Sequence, residues 1–164
     1  MPNWCNNSLL VTTIESNNTK KKESQEQLQD FIRRAKLQAY EYKNDNGDTI
    51  KEKGCDLSMN QLYPMPTELE GTKSPSDTPN WYDWRCNNWG TKWDVDACLE
   101  YDEEDMLEYS FDSAWSPPTN FIEKVSKDFP LLRFRLKYEE EGNGFMGVAV
   151  SINGHLDDQC IDYY

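Results

Sequence analysis

Apolar and polar residues follow two different periods along the chain, separated by a long aperiodic middle. Residues 8–14 (SLLVTTI) form a short apolar, β-branched run and predict a strand. A polar turn is expected at 17–22. Ser24 with Gln27 three residues on has the form of a capping box, and Leu28, Phe31, Ile32 and Ala35 recur at helical spacing. That pattern predicts an amphipathic helix over 24–39. Period two returns at Val95, Ala97, Leu99 and Tyr101, turns at 102–105, and resumes at Leu107, Tyr109 and Phe111, which predicts two half-buried strands. Ser116 and Pro117 predict the start of a second helix. Phe121, Ile122, Val125 and Phe129 are its apolar stripe and Pro130 its stop. Leu132, Phe134, Leu136 and Tyr138 then alternate with Arg133, Arg135 and Lys137. Gly142-Asn143-Gly144 turns the chain into a last long strand at 145–152, and His155, after Asn153-Gly154, reads as a loop residue. The acidic tail at 156–164 is an edge or a frayed end.

The element order is therefore β-α-(insertion)-β-β-α-β-β. Its first six elements give the split ferredoxin-like pattern, an α+β fold in one domain over 1–164, with an extra strand and an aromatic-rich insertion at 42–93 after the first helix. Both helices would cover one sheet face and leave the other open. Within the insertion, 42–54 is a polar loop or hairpin, and Pro64 and Pro66 predict extended chain over 57–70. Residues 70–79 have the make-up of a flexible surface loop. The stretch WYDWRCNNWGTKW at 81–93 holds four of the six tryptophans. Indoles at that density are either a plug that closes the fold or the lip of a recognition site.

Charge narrows the choice of partner. The chain has 30 acidic and 17 basic residues, a formal net charge of −13, so phosphate repulsion makes direct nucleic-acid binding an unfavourable expectation. A partner with a basic surface fits better, and plain solvation of the surface is the competing reading. No segment of about 20 apolar residues predicts a membrane span. The start lacks the form of a secretory signal, and the five cysteines contain no CxxC, which points to reduced thiols in the cytoplasm. The single histidine, His155, leaves no two-histidine metal centre, and no cofactor is expected.

Three sets of residues could carry chemistry. Asp94, Asp96, Glu108 and Asp112 are candidates for a carboxylate pair, weighed against solvated strand residues, and Cys5 and Cys86 are candidate nucleophiles, weighed against inert buried thiols. A ligand pocket would use Trp81, Trp84, Arg85, Asn88, Trp89, Lys92, Trp93 and Trp115, with indole stacking under a nucleotide base or a sugar and cations on a phosphate. In the structural alternative, Arg85 and Lys92 pair with Asp83 and Asp94 while the indoles lock the insertion down. A protein-binding surface would use two acidic hairpin tips: Glu100, Asp102, Glu103, Glu104 and Asp105, and Glu139, Glu140 and Glu141. The row Arg133, Arg135, Lys137 either pairs with acids across strands, such as Glu108 and Asp112, or makes an anion-binding sheet face, though without an aromatic pair of the RNA-recognition type.

Several motifs, in order, carry a resemblance: MPNWCNN at 1–7, LYPMP at 62–66, NWGTKWD at 88–94, FDSAWSPP at 111–118, and YEEEG with GFMG at 138–147. Together they are similar to the Api92-like family, from which the polar segment 42–55 looks distinct. The resemblance implies a ferredoxin-like domain and a setting on phages, plasmids and related bacterial elements. It supplies no catalytic residues. The resulting expectation is a small acidic accessory protein in the bacterial cytoplasm that binds a basic host protein and inhibits host defence or nucleic-acid handling. The other expectation is a nucleotide or sugar binder, or an enzyme, that uses the tryptophan pocket.

Overall fold

The segments of period two assemble into one sheet in a computed structural model, which describes residues 2–14 and 18–164. In chain order the elements are β1 (Trp4–Thr13), α1 (Asn18–Ala35), β2 (Tyr40–Lys43), β3 (Thr49–Glu52), α2 (Met59–Leu62), α3 (Trp81–Asn88), β4 (Cys98–Glu103), β5 (Met106–Ala114), α4 (Thr119–Asp128), β6 (Leu132–Glu140), β7 (Phe145–Ile152) and β8 (His155–Asp162). Six of the strands form a sheet in the order β4-β5-β1-β6-β7-β8, every pair antiparallel. β2 and β3 make a separate exposed hairpin.

The alternating residues explain where the core sits. Leu9 and Val11, Leu107 and Tyr109, Phe134 and Leu136, and Ala149 are all buried on one sheet face. α1 lays Leu28, Phe31 and Ala35 on that face, and α4 adds Phe121, Ile122 and Val125. Phe31 is central, with its ring edge-on to Phe129 at 5.3 Å, Phe134 at 5.4 Å and Tyr109 at 6.1 Å. Such rings contribute through buried area and edge-to-face geometry together. The opposite face carries the intervening residues, which are basic on β6 (Arg133, Arg135, Lys137) and apolar on β7 (Met146, Val148, Val150).

Several boundaries differ from the sequence pattern, each for a visible reason. The polar turn expected at 17–22 begins outside the described residues, and from Asn18 onward the chain is already helical. Ser24 is thus no cap. It is buried inside α1, and its hydroxyl donates to the carbonyls of Lys20 (2.8 Å) and Ile14 (3.3 Å). Ser116 is likewise not the cap of α4, because its hydroxyl donates to the Gly90 carbonyl at 2.5 Å and the helix starts at Thr119. β1 extends back to Trp4, since Asn6 and Asn7 find partners across the sheet in Asp112 (2.6 Å) and Ser113 (2.9 Å). Ala97 pairs with Leu57 rather than with β5, so β4 begins only at Cys98. A bulge between Leu99 and Tyr101 then throws Tyr101 outward, 56% exposed, against the expected alternation. The segment expected to be extended over 57–70 holds α2 and a 3-10 turn (Thr67–Leu69), because the prolines fall between these turns and block only their continuation. His155 opens β8 opposite Ile152, across a two-residue turn in which Asn153 and Gly154 have φ of 47° and 79°.

One core group is out of balance. The Tyr109 hydroxyl is buried and has no hydrogen-bond partner among the described residues, and burial pushes its pKa well up. An unsatisfied buried hydroxyl costs about 1–3 kcal/mol. Tyr109→Phe is therefore expected to melt at or above the wild-type temperature, with a gain of about 1 kcal/mol in urea unfolding. A clear loss of stability would place an unseen partner on that oxygen.

Candidate functional site

The tryptophan stretch begins as a helix. Asn80 caps α3, accepting from the Asp83 N–H at 3.0 Å and donating to the Asp83 carboxylate at 2.8 Å. Gly90, with φ of 90°, ends it in a conformation that favours glycine. Trp89, just past the last turn, is wholly buried, and its Nε1–H donates to the Tyr63 carbonyl at 2.9 Å. Trp84 stands edge-on to Trp89 at 5.7 Å and stacks on Tyr63 at 5.8 Å. The Arg85 guanidinium lies over Trp81 (5.3 Å) and Trp89 (5.2 Å), with Nη1 donating to the Lys92 carbonyl at 3.5 Å. Burial lowers its pKa, and its Nε has no partner among the described residues. The Asn88 amide donates to the Trp84 carbonyl at 2.8 Å. Trp81, Trp84, Arg85, Asn88 and Trp89 thus pack together beside Tyr63, with Trp89 buried and the other four half-buried.

The remaining members face outward. Lys92 Nζ sits 4.2 Å from the centre of the Trp93 ring, and Trp93 tilts against Trp4 at 6.0 Å. The Trp115 N–H donates to the Asn3 carbonyl at 3.0 Å, next to Trp4. Trp4, Trp93 and Trp115 are 48%, 39% and 44% exposed, all at the end of the sheet where β1 begins. Trp4 was not among the sequence candidates. Its signal was the outward half of the alternation Trp4, Asn6, Ser8, legible only once β1 is extended backward. The ion pairs considered between Arg85 or Lys92 and Asp83 or Asp94 are not formed. Asp83 serves the α3 cap, and the Asp94 carboxylate accepts from the Met59 N–H (2.6 Å), the Ser58 hydroxyl (2.5 Å) and the Val95 N–H (2.8 Å).

Register separates the two acidic tips. β1 runs antiparallel to both β5 and β6, with Thr12 opposite Met106 and Asn6 opposite Glu139. The tip at 102–105 therefore lies at one end of the sheet and the tip at 139–141 at the other. In the first, the Gln25 amide donates to Glu104 and Asp105, each at 2.9 Å, and Lys21 pairs with Asp105 at 3.5 Å. These contacts, the Gln25 hydrogen bond first, hold the Asp105 carboxyl below its usual range. Glu100 takes the Ser110 hydroxyl, while Asp102 and Glu103 are exposed. In the second tip Glu140 is buried and fastens its own turn, accepting from the N–H groups of Gly142 (2.7 Å) and Asn143 (2.9 Å). Glu139 accepts the Tyr163 hydroxyl at 3.1 Å, and Glu141 is exposed. A cleft of about 310 Å³ lies between Trp4, Asn6, Glu140 and Glu141, so this tip adjoins the exposed indoles.

On the uncovered face, Arg133, Arg135 and Lys137 project as expected, but among the described residues none is in an ion pair. Glu108 accepts from Ser8 at 2.8 Å and Asp112 from Asn6 at 2.6 Å, and β1 stands between these acids and the basic row. A groove of about 570 Å³ crosses this face between Lys137, Met146, Val148 and Ile161. Cys5 is buried and its thiol is pushed up to about 12 by desolvation, which disfavours a nucleophilic role. Burial also raises Cys86. Asp96 is exposed in the segment leading to β4.

These features define an α+β protein with a large antiparallel sheet, helices on one face, and an aromatic and acidic rim at one end. Residues 88–164 match the model of the ferredoxin-like domain in Api92-like protein. The whole chain is similar in fold to the crystal structure of a protein api92 from Yersinia pseudotuberculosis, with a TM-score of 0.56 at 14% sequence identity, covering 100% of this chain and 99% of that one. At that identity the likeness concerns the fold alone. No curated protein matches the sequence. Among the described residues, no helix is long and apolar enough to cross a membrane.

Proposed function

We propose that this chain is a single ferredoxin-like domain, with β7 and β8 added at one edge and residues 42–93 inserted after the first helix, and that it works by binding a protein with a basic surface. The observation that carries this reading is the grouping of three part-exposed indoles, Trp4, Trp93 and Trp115, with Glu139 and Glu141 at one end of the sheet. Exposed tryptophan is costly unless it is used, and indoles are frequent anchors of protein interfaces. Lysine and arginine side chains satisfy both halves of such a rim, stacking on the rings and pairing with the carboxylates. The net charge of −13 speeds encounter with a basic partner. Proteins that hold nucleic acid present surfaces of this kind. That agrees with the setting implied by the family resemblance, a mobile-element protein in the bacterial cytoplasm that inhibits host defence or nucleic-acid handling.

The test compares the wild type with Trp4→Ala/Trp93→Ala and with Glu139→Lys/Glu141→Lys, each used as bait in host lysate at low and high salt. A basic host protein retained by the wild type, released by salt and weakened at least about tenfold by either double variant is the expected result. Trp4, Trp93 and Glu141 are exposed and Glu139 is half-buried at the sheet end, so the melting temperatures of both variants should stay within about 5 °C of wild type. A partner held equally well by all three proteins, or none at low salt, would refute the reading.

A further inference from the structure

The two edges of the six-stranded sheet differ. β4 is short and bulged between Leu99 and Tyr101, a device that discourages pairing. β8 pairs with β7 without a break, from Ile152 opposite His155 to Phe145 opposite Asp162. It contains no proline, lysine or arginine, and every residue from Asp157 to Asp162 is exposed. Among the described residues no strand lies beyond it. The ladder continues past it with the Tyr163 N–H donating to the Gly144 carbonyl at 2.8 Å. Because antiparallel hydrogen bonding alternates residue by residue, the odd-numbered residues of β8 bond to β7. Leu156, Asp158, Cys160 and Asp162 therefore aim their backbone N–H and C=O groups off the edge. Asp158 is anchored from within by the Tyr138 hydroxyl at 2.6 Å, which holds the strand in place.

We infer that β8 is a docking edge, to which a lysine- or arginine-rich extended segment of the partner adds as an antiparallel or parallel strand. Charge selects the occupant. Asp157, Asp158 and Asp162 meet no basic residue on their own strand, and Glu139 and Glu141 stand at the Tyr163 end. A second copy of this chain would set aspartates against aspartates across the new pair, which is destabilising. A basic strand instead gains cross-strand ion pairs along with the backbone ladder. Its apolar side chains on the uncovered face would reach Ile161, which is 60% exposed and lies in line with Met146. This is strand addition, in which the backbone supplies affinity and alternate side chains supply selectivity. The inference rests on the reading of the partner as basic; it shares Glu139 and Glu141 with the rim but uses none of its tryptophans.

The test uses the full chain and an eight-residue peptide of alternating lysine and valine, with alternating lysine and proline as a probe of equal charge that cannot form a ladder. With the lysine–valine peptide, amide exchange at Leu156, Asp158, Cys160 and Asp162 should slow at least tenfold. The lysine–proline peptide should leave it unchanged. Cys160→Pro removes one outward N–H and leaves the β7 ladder intact, so it should weaken the lysine–valine peptide at least tenfold. Should that variant fail to fold, Asp157→Lys/Asp162→Lys gives the same expected loss through charge alone. Equal binding of both peptides, no change in exchange at these four amides, or protection that is present without peptide and lost on dilution would each overturn the inference. Trp4→Ala/Trp93→Ala should bind the peptide within twofold of wild type, so a failure at this edge is distinguishable from a failure of the tryptophan rim.

Discussion

Trp89→Ala should bring the protein close to unfolding, with a loss of about 3–5 kcal/mol, the range for truncating a large buried ring. Total stabilities of about 5–15 kcal/mol leave little margin for such a loss. Trp89 has no exposed surface, and its ring neighbours come from two parts of the chain: Tyr63, and Trp84 with the Arg85 guanidinium on α3. Its backbone carbonyl also accepts the Phe121 N–H of α4 at 3.1 Å, so the same residue ties the aromatic segment to the second helix. Truncation removes the ring contacts and strands the Tyr63 carbonyl together. Trp89→Phe keeps much of the packing and loses only the N–H and part of the volume, so an intermediate loss of about 1–2 kcal/mol is expected. Urea unfolding followed by far-UV dichroism ranks the three proteins. A midpoint for Trp89→Ala indistinguishable from wild type would show that this ring does not hold the aromatic segment in place.

Asp94→Ala should be the next most damaging change, at about 2–3 kcal/mol. The Asp94 carboxylate caps a helix to which it does not belong. It accepts from the N–H groups of Met59 at 2.6 Å and Asn60 at 3.4 Å, from the Ser58 hydroxyl at 2.5 Å and from its own neighbour Val95 at 2.8 Å. Hydrogen bonds to an ionised acceptor are about twice as strong as neutral ones, and loss of a cap alone costs about 1 kcal/mol. Asp94→Asn retains one acceptor oxygen and should lose about half as much. The damage should be local first, with amide exchange accelerating at Met59 and Leu62 before the sheet responds. Equal losses for the alanine and asparagine variants would show that the charge-assisted bonds do not hold this segment.

The α+β class and the large antiparallel sheet were legible because a strand with one buried face writes its period into the sequence. Leu132, Phe134, Leu136 and Tyr138 on β6 are buried, with Arg133, Arg135 and Lys137 turned away. Features set by contacts distant in sequence were not legible. Ser24 and Ser116 had the composition of caps, yet Ser24 sits inside α1 with its hydroxyl on the Lys20 carbonyl one turn back, and the Ser116 hydroxyl goes to the Gly90 carbonyl, which only the fold brings near. α3 carries no apolar stripe and none of its own residues is fully buried, so hydrophobic periodicity could not reveal it. Asn80 and Asp83 were a local signal for its start. The candidate site was legible as a composition and not as a place. The eight pocket candidates divide between an inward unit around Trp89 and an outward rim at Trp93 and Trp115, and this division depends on Tyr63 and Trp4, far away in the chain. The separation of the acidic tips likewise follows from register, which no single strand encodes alone.

The division of the indoles also gives the molecule two optical reporters. Iodide or acrylamide should quench the emission of Trp4, Trp93 and Trp115 while leaving Trp89 dark to the quencher, with iodide drawn towards Trp93 by the ammonium group of Lys92. A docked partner would shield the outer set without shifting the inner one, and denaturant would release the inner one, so occupancy and unfolding register as separate changes in the same spectrum.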